Sequence, residues 1–147
     1  MTRDELFNTL SECLVSSHHT DQMAWALMSG KDWPLTRYDT ETWHQLCEEA
    51  EPEASMTTNA SNALKALRAH GRVFSFEVKS AGADPVVLVD IDIHGFDEPI
   101  ASQVAKHVGI EEIGLAVATA CVSAHRKACI AEAKIAKIQS PDGPCLG

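Results

Sequence analysis

The chain has 147 residues, 45% of them apolar, with five cysteines and a net charge of −9. That length suits one domain with its own core. The charge argues against general binding to nucleic acid or an anionic membrane. An odd, sparse cysteine set argues against a disulfide scaffold and for reduced thiols.

The charge is unevenly spread. Residues 1–55 hold 11 acidic side chains against 3 basic ones, whereas residues 56–80 hold 1 acid against 4 bases. An acidic N-terminal lobe is expected, followed by a mildly basic segment. Asp4, Glu5 and Glu12 interrupt the first 20 residues, unlike a secretory signal. No stretch reads as a membrane span. A cytoplasmic location is the expectation.

Thr2 and Glu5 have capping-box spacing, and Leu6, Phe7, Leu10, Cys13 and Leu14 form an apolar stripe, which predicts a helix over 3–16. A second helix follows Thr20, with Met23, Ala24, Leu27 and Met28 inward and Gly30 as a left-handed stop. Trp33-Pro34 makes 31–39 a loop. The third helix covers 40–50, burying Trp43, Leu46, Cys47 and Ala50, and residues 51–55 form a short loop. The fourth covers 57–70, buries Ala60, Leu64 and Leu67, and stops at Gly71.

Residues 73–79 alternate as a strand, with Phe74, Phe76 and Val78 on one face. Residues 80–85 are a turn. Residues 86–94 are a second strand whose Val87, Val89, Ile91 and Ile93 share a core face. The two strands make a hairpin over 73–94. Asp97 and Pro99 look like a helix start, so a short helix is predicted over 99–108, burying Ile100, Val104 and Val108. A long helix spans 111–138, apolar all round in its first half, and the tail 140–147 is loose. The whole is α+β: one mainly helical domain over 1–139 with one hairpin and a long C-terminal helix. A lone hairpin is marginal, so helices must cover it or two chains must pair hairpins as a homodimer.

Three groups can carry function. Asp90, Asp92 and His94 stand in a row on the outer face of the second strand, a set that can ligate a divalent metal. Glu77 and His70 can approach them. Cys121, His125 and Cys129 follow at i, i+4 and i+8 on the long helix, but the outer two lie about 12 Å apart, too far to share one ion. In the acidic lobe, Trp33 and Tyr38 lie in a polar loop beside Glu48, Glu49, Glu51 and Glu53, the pattern of a docking surface for a basic protein. Neither a Gly-x-Ser-x-Gly elbow nor a phosphate-cradling glycine loop occurs.

The expectation is a non-catalytic acidic binding module without a cofactor, which contacts neither nucleic acid nor membrane directly. By class analogy alone, such chains include anti-restriction and anti-CRISPR inhibitors that occupy basic grooves of nucleic-acid-binding machinery. The alternatives are a small metal-dependent hydrolase built on Asp90, Asp92 and His94, and an assembly subunit that dimerises through the long helix.

Overall fold

The computed structural model describes residues 1–81 and 85–139, and the expected loose tail lies outside them. Five helices, α1 (Arg3–Glu12), α2 (His18–Ser29), α3 (Arg37–Glu48), α4 (Ala60–Ala69) and α5 (Ile113–Gln139), accompany three strands, β1 (Val73–Ala81), β2 (Val86–His94) and β3 (Ile100–Lys106). The strands form one antiparallel sheet in the order β1-β2-β3. The domain is α+β, as its sequence pattern implies.

β2 is the central strand. Val87, Val89, Ile91 and Ile93 are all buried, and their burial contributes roughly 1.5–3 kcal/mol each. α5 crosses the inner face of β2 and β3 and also packs against α1, α2 and α4. Small side chains permit that crowding: Ala116, Ala118, Ala120 and Ala124 are fully buried. α5 is also long and apolar enough to cross a membrane, contrary to expectation, but 67% of that stretch is buried inside the fold.

The helix expected over 99–108 is strand β3. Ile100, Val104 and Val108 recur every fourth residue, which fits a helical face and one strand face equally well. The intervening core-face positions are polar. Ser102 is buried and donates to Ser123 Oγ at 2.8 Å. Lys106 is buried, and its ammonium donates to the carbonyls of Leu10, Ser11 and Cys13 at 3.2, 2.8 and 2.8 Å. Burial pushes its pKa down. β3 pairs with β2 from Val87↔Lys106 to Ile93↔Ile100, so the hairpin gains its third strand from the same chain.

Those Lys106 contacts also explain the end of α1. The helix stops at Glu12, with Cys13 extended, and not at residue 16. Leu14, expected inward, is exposed. Arg3 performs the same service for α2, donating to Lys31 O, Ala26 O and Leu27 O at 2.9, 3.2 and 2.9 Å. Both helices thus end on a cation, where the helix dipole favours one. α2 begins two residues before Thr20 because Ser17 caps it. α4 begins at Ala60 behind the Asn59 cap, because Thr57 is engaged elsewhere: its N–H and hydroxyl donate to buried Asp21 Oδ1 at 2.9 and 2.6 Å. Burial raises the Asp21 pKa and these two bonds oppose the rise. Ala50, expected inward, is exposed at the end of α3 with φ of 56°.

Candidate functional site

The outer face of the sheet carries the row formed by Asp90, Asp92 and His94. The register sets Asp92 between Ser75 and Ala101, and Asp90 between Glu77 and Gln103. Small Ser75 and Ala101 beside Asp92 help leave a shallow depression of ≈ 310 Å³ over the two carboxylates, which are half-buried. Neither makes an ion pair or side-chain hydrogen bond among the described residues. His94 is exposed at the strand end, with Nε2 3.1 Å from Ser75 Oγ. Glu77 does face Asp90 in register but sits 3.3 Å from its neighbour Lys79. His70 lies elsewhere, its ring 4.8 Å from that of His125. Among the described residues, no three His, Cys, Asp or Glu side chains converge as a metal-ligand set.

The acidic lobe presents a different surface. α3 turns Trp43 inward, fully buried between the edges of His18 and His44. Its opposite side carries Tyr38, 75% exposed, then Glu41, Gln45, Glu48 and Glu49, all exposed. Positions 38, 41, 45 and 48 fall at i, i+3, i+7 and i+10, so they share one stripe. Glu51 follows in the exposed loop, and Glu53 is half-buried. Cations here are few and occupied: Arg37 pairs with Glu41 at 3.3 Å, Lys31 with Asp39 at 3.6 Å, and Arg3 ends α2. Trp33 is half-buried, edge-on to His19 at 5.4 Å, and packs against the core. The exposed aromatic of this surface is therefore Tyr38.

The cysteine–histidine line on α5 splits. Cys121 is fully buried, and burial pushes its thiol up to about 12. His125 and Cys129 meet instead a residue that helical spacing alone leaves out, Arg72, at the entrance to β1. Its guanidinium donates from Nε to His125 Nδ1 at 3.1 Å and from Nη2 to Cys129 Sγ at 3.4 Å. It also grips Glu132 through Nη1 and Nη2 at 2.7 and 2.8 Å. The Glu132 bond raises the Arg72 pKa and holds the Glu132 carboxyl below its usual range. Burial, then the charges of His70 and Arg72, depress His125 to about 4.

This geometry fixes the imidazole tautomer. A guanidinium N–H requires a lone pair on Nδ1, so the ring proton sits on Nε2, 3.5 Å from Cys129 Sγ. His125 is then a donor to sulfur. It cannot take the thiol proton, as the histidine of a base-activated cysteine nucleophile must. A groove of ≈ 300 Å³ between α2 and α5 opens beside this cluster. Comparison with known protein families, curated proteins and solved structures finds no match to this chain.

Proposed function

We propose that this chain is a non-catalytic binding module that docks a basic protein through the outward stripe of α3 and the loop that follows. The observation that carries this reading is the exposed run Tyr38, Glu41, Glu48, Glu49 and Glu51, in a lobe (residues 1–55) whose one exposed cation is Arg37. An aromatic within an acidic rim suits a surface that steers a cationic partner and then anchors it. Basic grooves of nucleic-acid-binding machinery have the complementary charge, so such machinery is the partner class proposed, with this chain as its inhibitor.

Capture from the host at low salt, comparing parent with a Glu48→Lys/Glu49→Lys variant, identifies a partner whose recovery depends on the acidic stripe. Surface binding then measures its rates. Association should slow as salt rises, since exposed charges are screened over ~8 Å at physiological ionic strength. Charge reversal at Glu48 and Glu49, or at Glu51 and Glu53, should slow it further. Tyr38→Ala and Trp33→Ala should instead speed dissociation. Association indifferent to salt and to both reversals would overturn the proposal.

A further inference from the structure

Four of the five cysteines are described, and their sulfurs differ in surroundings. Cys121 is sealed in the core. The Cys13 thiol donates to Thr9 O at 3.2 Å, a bond that needs its proton. Cys47 is half-buried, and burial followed by the charges of Asp21 and Glu48 pushes its thiol up. Cys129 alone among them is an acceptor. Arg72 Nη2–H and His125 Nε2–H both point at Sγ, and the residue is exposed. Two N–H donors, one of them cationic, converge on this exposed sulfur, so it alone of these sulfurs is free to act as the attacking atom with its partners already in place. Arg72 is itself held rigidly by Glu132 and His125, so the donor stays in place when sulfur reacts. The neighbouring ≈ 300 Å³ groove, lined by Leu27, Met28, Arg126 and Ile130, gives a small molecule access to that side of the cluster.

We propose that Cys129, in the cradle of Arg72 and His125, is a peroxide-reactive thiol and a site of reversible oxidation. The thiol proton goes to solvent. The thiolate attacks one oxygen of a hydroperoxide, an S–O bond forms as the O–O bond breaks, and sulfur gives up two electrons. The leaving oxygen takes a proton and departs as water or an alcohol, leaving cysteine sulfenic acid. Arg72 Nη2 is positioned to donate to the attacking sulfur and then to the sulfenic oxygen.

The test uses the full chain carrying Cys145→Ser, so that the thiols compared are Cys13, Cys47, Cys121 and Cys129. Hydrogen peroxide with dimedone traps sulfenic acid, iodoacetamide reports thiol reactivity without an oxidant, and peptide mass spectrometry reads both. Cys129 should label about tenfold faster than Cys13 and Cys47 with either reagent, and Cys121 not at all in the native state. Arg72→Gln, shown folded by circular dichroism, should bring Cys129 down to the rate of the other two. His125→Phe, which deletes the other donor, should slow it partway. Equal labelling of Cys129, Cys13 and Cys47 in the parent chain would overturn the proposal whether or not the variants fold. So would a folded Arg72→Gln protein that labels at the parental rate.

Discussion

Ala50 occupies the left-handed region, with φ of 56°, just beyond α3. Its N–H donates to Cys47 O, and the Glu51 N–H donates to Leu46 O, the bonding pattern that closes a helix at such a residue. A Cβ is strained there and glycine is not. Ala50→Gly should therefore stabilise the chain by about 0.5–1 kcal/mol, partly offset by the extra freedom glycine has when unfolded, as read from denaturant midpoints. His125 makes a second residue-scale case. Its folded pKa, about 4, lies below the 6.5 of the free group, so the unfolded state binds more protons in between. This contribution is fully present above pH 6.5 and is lost as pH falls toward 4, at a cost of roughly 1–3 kcal/mol. Asp21 works in the opposite sense, because its folded pKa is raised. His125→Gln should flatten the slope of melting temperature against pH between 4 and 6.5. An unchanged slope would show that the imidazole takes up its proton as easily folded as unfolded.

At the scale of elements, β2 and α5 were legible because their patterns are undiluted: four aliphatics alternate in one, and small apolar residues surround the first half of the other. β3 was illegible for a physical reason. Two of its four core-facing residues are Ser102 and Lys106, and their burial is tolerated only because Ser123 and three carbonyls at the end of α1 and just beyond it receive their protons. The partners come from distant parts of the chain, so no local pattern records them. The Arg72 cluster was half legible for the same reason. Spacing on α5 brings Cys129 to His125, but Arg72 arrives from 53 residues away. Close packing at the start of α5 was likewise hidden in an unremarked glycine. A Cβ on Gly114 would lie 2.7 Å from Thr57 O and 2.9 Å from Asn59 N, both backbone atoms that cannot swing aside. Gly114→Ala should cost roughly 1–3 kcal/mol, because α5 must part from the segment that ties Thr57 to Asp21. A variant that melts like the parent would mean that this segment is looser than its buried hydrogen bonds imply.

Across the whole molecule, charge is used in two ways. Carboxylates of the N-terminal third crowd the outside of α3, where water solvates them and a partner can reach them. Three cations are instead drawn inward to tie separate parts together. Arg3 joins the first turn of α1 to the end of α2, Arg72 joins β1 to α5, and Lys106 joins the sheet to the end of α1. This sorting leaves the acidic lobe with little internal neutralisation, and the same arrangement makes the lobe depend on a buried ammonium for its seat on the sheet. Lys106 bonds across more than 90 residues of chain. Two terms compete when it is removed. Burying an ammonium is costly, so Lys106→Met, which keeps the stem and deletes the charge, relieves one penalty. Against that, three carbonyls lose their donor, and each unsatisfied buried group costs about 1–3 kcal/mol. Leu10 O keeps the N–H of Cys13, which leaves Ser11 O and Cys13 O as the main losers. The second term should prevail. Lys106→Met is expected to lower stability by about 2–4 kcal/mol and to raise hydrogen exchange at the end of α1 more than in α5. A variant as stable as the parent, with α1 equally protected, would mean that water replaces the ammonium and that the lobe is seated by apolar contacts alone.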